Sequence, residues 1–353
     1  LESQEHRPMS EVAPISSRKS DHLRINLSED VDSHLSTGLE HYRFIHRALP
    51  ELDLEQVNTT TYLFGKQLNA PILISSMTGG TPEASKINHT LAEAAQVTGV
   101  AMGLGSQRAA IEYPELITTY NVRSVAPDCL LFANLGAVQL NYSYGIDQCL
   151  RAVEMISADA LVLHFNALQE AVQPNGDTRF SGLADKVAQI CKKMPVPVIA
   201  KEVGWGFSPP DIALLLDCGI SAIDVAGAGG TSWSQVEMHR ANDEQQKQLA
   251  AAFIDWGIPT AEAVLNVRAT APQMLVFASG GLRSGVDIAK CVALGASLGG
   301  MARPFLKAAV ISLEETIKTI QTITRQIQVC MFASGTPDLF SLHVEKIPPL
   351  DPL

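Results

Sequence analysis

The sequence predicts an α/β chain whose main body is a (β/α)8 barrel, the TIM-barrel architecture. Three observations carry this expectation. From residue 71 onward, eight short apolar runs alternate with helical patterns. The runs are almost continuously apolar, which suits parallel strands covered on both faces. Their ends carry an unusual density of Gly, Ser, Asn and charge, where barrel strands hold their working residues. A doubly wound open sheet is the competing architecture, but the first unit lacks GxGxxG after its strand.

Taken in order, residues 1–17 are polar and without periodicity, so they read as a flexible segment; residues 1–8, ahead of Met9, are set aside. Residues 18–70 read as an N-terminal extension. It opens with the charged cluster RKSDH (18–22) and continues with a short helix over 38–48 that ends before Pro50. Residues 57–69 then predict a hairpin around Gly65 that covers one end of the barrel. Residues 71–353 form the barrel and its C-terminal tail. Its strands are expected at 71–77, 100–105, 129–135, 160–166, 197–203, 222–228, 274–279 and 297–301. Helices are expected at 84–98, 145–156, 184–193, 209–218, 246–256, 285–294 and 304–329, with Thr81-Pro82 as an N-cap and first-turn proline. The two long interruptions, 167–181 and 229–245, read as functional loops.

Composition narrows the function. The 353 residues are 46% hydrophobic and carry a formal net charge of −11, which argues against a general nucleic-acid surface. The six cysteines are scattered without a CxxC pair, so no zinc site is suggested. No signal-peptide pattern or membrane-length apolar run is present, so the expectation is a soluble, cytoplasmic protein without a membrane partner.

The strand ends carry the chemistry. In ALVLHFNALQE (160–170), His164 and Asn166 point the same way along a strand, and Gln169 and Glu170 follow side by side. An amide and a carboxylate there suit a hard cation and the oxygens of an anionic ligand. SGGLRSG (279–285) and GGMARP (299–304) offer Gly-rich backbone before a helix start, an arrangement that receives phosphate. Position alone leaves flavin mononucleotide, a sugar phosphate or a substrate phosphate open. SSMTGG (75–80) places backbone and a hydroxyl against a planar ligand, and Asn134 offers an amide to a ring edge. Lys201 ends the fifth strand as a cation for an anionic ring or for proton transfer, with a plain Lys201–Glu202 pair as the alternative. GSQR (105–108) and Arg18-Lys19 together suit a diphosphate, whereas His22 reads equally well as a surface residue. No paired carboxylates of the general acid–base type stand out at the strand ends.

RKSDH, SSMTGG, GSQR, HFNALQE, AKEVG, AGAGGT, SGGLRSG and ARP, in this order, closely resemble the type 2, flavin-dependent isopentenyl-diphosphate isomerases. The resemblance spans residues 18–345, and RKSDH and HFNALQE separate it from other flavin barrels. It implies an enzyme that interconverts isopentenyl and dimethylallyl diphosphate with reduced FMN, NADPH as reductant and Mg²⁺. By match of motif, Ser76, Met77, Thr78, Ser106, Asn134, Lys201 and Thr231 contact FMN. Gly281, Leu282, Arg283, Ala302 and Arg303 join them at its phosphate. Arg18, Lys19, Ser106, Gln107, Arg108 and Gln169 bind the diphosphate substrate, and Glu170 holds Mg²⁺. His164, Asn166, Gln169 and Lys201 line the reacting pocket, with reduced FMN carrying the proton. The resemblance also implies a homo-oligomer, a tetramer or octamer. Two other functions compete: a flavin-dependent 2-hydroxy-acid oxidase, for which His239-Arg240 is the sole candidate pair, and a non-catalytic flavin- or phosphate-binding protein.

Overall fold

The computed structural model describes residues 15–346. The expected flexible stretch 1–17 falls mostly outside them, and residues 15–17 open helix α1 (Ile15–Ser28). Strand β1 (Tyr42–Arg43) follows a single 3-10 turn at Leu39–His41. The hairpin is β2 (Thr61–Leu63) and β3 (Lys66–Leu68). The barrel strands are β4 (Ile72–Ile74), β5 (Ala101–Gly103), β6 (Leu131–Gly136), β7 (Ala160–Phe165), β8 (Val198–Glu202), β9 (Ala222–Asp224), β10 (Leu275–Ala278) and β11 (Leu298–Met301). They are all parallel and close in the order β10-β11-β4-β5-β6-β7-β8-β9. All eight predicted runs contain a strand, and the (β/α)8 expectation holds.

The outer helices are α2 (Pro82–Thr98), α3 (Arg108–Glu112), α4 (Ile146–Glu154), α5 (Ala167–Val172), α6 (Leu183–Lys193), α7 (Pro209–Asp217), α8 (Trp233–Arg240) and α9 (Glu244–Ala251). They continue with α10 (Thr260–Thr270), α11 (Gly285–Ala293), α12 (Arg303–Ile311) and α13 (Leu313–Ser334), and the described residues end in β12 (Glu345–Lys346). Thr81 caps α2 as expected, its hydroxyl accepting the Ala84 N–H, and Gly99 closes the helix in the left-handed region.

Four local expectations need correction. The helix over 38–48 is one 3-10 turn followed by β1, because Tyr42 and Arg43 pair with Lys346 and Glu345 of β12, a partner no local window contains. The single helix over 304–329 is two, because Ser312 turns extended and its hydroxyl caps Glu315 N–H of α13. The two long loops, 167–181 and 229–245, hold α5 and α8. Finally, α10 fills a stretch that carries no helix in the sequence reading.

The hairpin plugs the barrel end opposite the strand C-termini. Its two-residue turn, Phe64-Gly65, has φ +47° and +80°, a left-handed pair. That strains Phe64 by about 1–2 kcal/mol. The strain is offset because its ring packs edge-on against Phe132 at 6.2 Å and Phe277 at 6.5 Å, themselves stacked at 6.0 Å. Leu63, Leu68, Ala101, Val162, Ile199 and Leu298 complete this apolar floor. Above it the lining turns polar. The register sets His164 beside Lys201 and Lys201 beside Asp224, so one level of the barrel carries three ionisable groups. Among the described residues, no helix is long and apolar enough to cross a membrane.

Candidate active site

A cavity of about 660 Å³ opens over that polar level, at the C-terminal ends of the strands. Its floor and walls come from β4 to β11 and the segments that follow them. Its roof comes from α1, which brings Lys19, His22 and Asn26 across the opening.

HFNALQE builds one wall. The strand ends at Phe165, and Asn166 leads directly into α5, so Gln169 and Glu170 are rigid helical positions rather than loop residues. His164 Nδ1 lies 2.8 Å from Asn134 Oδ1. Asn166 Nδ2 donates to Glu170 Oε1 at 2.9 Å and to Gln169 Oε1 at 3.2 Å. Glu170 Oε2 accepts from Gln173 Nε2 at 3.1 Å and from the Asp177 N–H at 2.7 Å. These bonds fix the carboxylate at the cavity wall while Asn166 Oδ1 stays buried without a hydrogen-bond partner. Glu170 and Asn166 Oδ1 are hard oxygen donors of the class Mg²⁺ takes. Among the described residues, no group of three or more His, Cys, Asp and Glu side chains stands ready to hold a metal. The arrangement therefore fits a cation shared between one carboxylate and the oxygens of a bound ligand.

Gln169 leads to a network with no counterpart in the sequence reading. Its Nε2 donates to Glu237 Oε1 at 3.1 Å. The same oxygen lies 3.1 Å from His22 Nε2, and Arg240 donates to Glu237 Oε2 at 2.5 Å. The His22 ring meets Trp233 edge-on at 5.1 Å. Burial disfavours ionisation of Glu237, but the bonds and charges of His22 and Arg240 outweigh it and hold the carboxyl down to about 2. His22 is thus a roof residue of the cavity. The spacing of Trp233, Glu237 and Arg240 at i, i+4 and i+7 was the available signal, legible once 233–240 is read as a helix.

Lys19 reaches from α1 to the 105–108 loop. Its Nζ donates to the Ser106 carbonyl at 2.8 Å and to the Tyr120 hydroxyl at 2.6 Å, over whose ring it sits. Arg108 lines the cavity with its guanidinium on Glu112 and Asp177, both at 2.8 Å. Burial works against its charge, but those two carboxylates hold it well above the usual arginine range. Gln107 is fully buried and does not line the cavity. Its Nε2 donates to the Ala152 carbonyl and its Oε1 accepts the Asn134 N–H, so it clamps the loop to β6 instead of facing a ligand. The Arg18 side chain lies outside the described residues.

On the opposite wall, the loops after β9, β10 and β11 stack backbone on backbone. A Cβ on Gly281 (φ +78°) would stand 2.2 Å from the Gly229 carbonyl oxygen, so only glycine allows this approach. Arg283 and Arg303 both pair with Asp32, at 3.0 and 2.6 Å, and Arg303 reaches Thr231 Oγ1 at 3.4 Å. Arg303 Nε is buried without a hydrogen-bond partner, as is Ser75 Oγ on the adjoining wall. Bare backbone N–H groups, two guanidinium groups and an orphaned donor fit the phosphate end of a nucleotide cofactor. Ser76, Met77, Thr78, Ser106, Asn134, Lys201, Leu282 and Ala302 all line the same space. The alternative, a plain Lys201–Glu202 ion pair, is not what forms, since the carboxylate within ion-pair reach of Lys201 is Asp224. Glu202 turns outward, and its Oε2 accepts the N–H groups of Val203, Gly204 and Trp205 at 2.6–2.7 Å. Burial nonetheless pushes its carboxyl up to about 7 against those bonds.

Relatives match almost the whole chain in sequence. Isopentenyl-diphosphate delta-isomerases from Nostoc sp. and Synechocystis sp. are 53% and 56% identical over 334 and 326 residues, with 94% and 92% of this chain and 95% and 93% of theirs covered. The chain belongs to the isopentenyl-diphosphate delta-isomerase family. A Rickettsia bellii member is 48% identical over 330 residues, 94% of this chain and 96% of its own. The profile of the FMN-dependent dehydrogenase family matches residues 150–348, which names FMN as the family cofactor. Solved structures show the shared barrel at lower identity. A mandelate oxidase variant superposes with TM-score 0.65 at 18% identity, covering 95% of this chain and 99% of its own. A flavocytochrome b2 variant gives 0.64 at 19%, covering 92% and 78%. The His239-Arg240 pair that an oxidase reading requires is not assembled here: His239 is exposed and Arg240 is held by Glu237.

Proposed function

We propose that this family member interconverts isopentenyl and dimethylallyl diphosphate by a proton 1,3-shift, using reduced FMN, Mg²⁺ on the diphosphate and NADPH as reductant. One observation carries the reading. The buried Asn166–Gln169–Glu170 wall and the glycine-rich loops carrying Gly281 and Arg303 line one cavity, roofed by α1 with Lys19. The curated relatives supply the substrate name, and the FMN-family match supplies the cofactor.

In this reading the Gly-rich wall with Arg283 and Arg303 would hold the FMN phosphate, and Lys201 and Asn134 would contact its ring. Lys19, Arg108 and Gln169 would bind the diphosphate, and Glu170 would hold the Mg²⁺ that neutralises its charge. The reaction adds a proton at one alkene carbon and removes one from another, with no net redox change. An alkene is a weak base, so the cationic transition state needs a dry, preorganised site. The α1 roof supplies that exclusion of water, and His164 and Asn166 shape the floor beneath the hydrocarbon. Reduced FMN, when bound, supplies the proton-carrying group that no pair of free carboxylates provides. The resemblance extends the proposal to a homo-oligomer, which light scattering tests.

The experiment is an anaerobic assay of purified protein with isopentenyl diphosphate, FMN and Mg²⁺, with and without NADPH. Product in the reduced sample alone is expected. No product in either sample, from a protein that binds FMN, overturns the substrate assignment.

A further inference from the structure

We propose that Asp224 is the positioning residue for Lys201, fixing where the ammonium group stands beneath the cavity. Asp224 is 2% exposed and does not itself line the cavity, so whatever it does for a ligand it does through a neighbour. That neighbour is set by the fold: Lys201 on β8 and Asp224 on β9 are register partners, so their side chains leave the barrel wall on one level. Asp224 Oδ1 accepts the Ser279 hydroxyl at 2.5 Å, which anchors the carboxylate from β10. Its Oδ2 lies 3.8 Å from Lys201 Nζ, an ion pair without a direct hydrogen bond. Lys201 Nζ donates to the Glu202 carbonyl at 2.6 Å, one of the three donors an ammonium owns.

Those two contacts hold the ammonium while Lys201 still lines the cavity. A buried cation without a counter-charge is unfavourable, and Asp224 is the carboxylate within ion-pair reach. His164, the register partner on β7, is the other titratable group on this level, and it is retained in every variant below. The consequence for the cofactor rests on the FMN reading above, in which the ligand facing Lys201 is an anionic flavin ring. The Asp224–Lys201 couple itself does not.

The test is therefore made on flavin-free protein. Competitive acetylation with acetic anhydride across a pH series, read by peptide mass spectrometry, follows the free-amine fraction of Lys201 against exposed Lys193. In Asp224→Asn, which keeps the Ser279 bond by shape, labelling of Lys201 at pH 8 rises about tenfold. Asp224→Glu, which keeps the charge, labels like the parent, and Ser279→Ala falls between. Superposable profiles in the parent and Asp224→Asn overturn the proposal, as does an Asp224→Glu protein that labels like Asp224→Asn. A separate arm measures FMN affinity in Lys201→Gln. An unchanged value there overturns the cofactor reading and leaves the labelling result to decide the role of Asp224.

Discussion

Replacing Glu237 by glutamine removes the anion that ties the α1 roof to α8, and the structure gives the size of the effect. The Glu237 carboxyl is held at about 2, well below its ordinary 4.5. At about 1.4 kcal/mol per unit, its ionisation contributes about 3 kcal/mol to folding at neutral pH. The side chain is fully buried, so solvent screening does not discount this figure much. The sign follows from the direction of the shift. A depressed carboxyl stabilises above its unfolded value, and that stability is lost as pH falls from 4.5 toward 2. By pH 3, about 2 kcal/mol of it is gone. Glu237→Gln also leaves Arg240 without its anion, so the variant is less stable by about 3 kcal/mol at pH 7. The assay is urea unfolding of parent and variant at several values between pH 7 and pH 3. The two stabilities should converge as the pH falls. Parallel curves, with a constant gap from pH 6 to pH 3, would refute the account of Glu237 as a buried, ionised hub.

The remaining predictions concern the metal wall and the barrel floor. Glu170→Gln removes the charge and keeps only one accepting oxygen, so it retains the bond from Asn166 or that from Asp177 but not both, and diphosphate binding loses about tenfold of its Mg²⁺ enhancement. Isothermal titration with substrate, with and without Mg²⁺, checks this, and an unaltered enhancement contradicts the metal role. Phe64→Ala empties the ring contacts with Phe132 and Phe277 at the far end of the barrel and costs about 2–3 kcal/mol of stability. FMN affinity should stay unchanged in that variant, and a parallel loss of FMN binding would show that floor and cavity are coupled.

What was legible in the sequence was what short-range patterns encode. Ile72–Ile74 and Leu161–Leu163 are apolar without alternation because both strand faces are covered, and composition alone states that. The turn at Phe64-Gly65 was legible because a two-residue turn needs a left-handed residue and glycine supplies one. The close backbone approach at Gly281 was legible because only glycine permits it. Gln107 misled because its neighbours Ser106 and Arg108 do line the cavity. The α3 start at Arg108 turns the intervening amide inward, and a string of letters does not show which way a residue faces at a helix entry.

The network around Glu237 marks the limit more sharply. Its four members are His22, Gln169, Glu237 and Arg240, on α1, α5 and α8. Only the last two are within reach of each other along the chain. Read singly, His22 is a surface histidine and Glu237 a solvated charge on a polar helix. Their meaning comes from closure of the barrel, which brings the end of β7 and the segment after β9 under the same roof. The same closure brings Asp224 beside Lys201 although 23 positions separate them in the chain. The groups that directly face the cavity lay in contiguous strings such as HFNALQE and SGGLRSG. The groups that hold them in place came from strands and helices distant in sequence. Contact with a ligand is concentrated at strand ends, where the chain passes the cavity once, whereas support for those ends can arrive from any element the fold packs behind them.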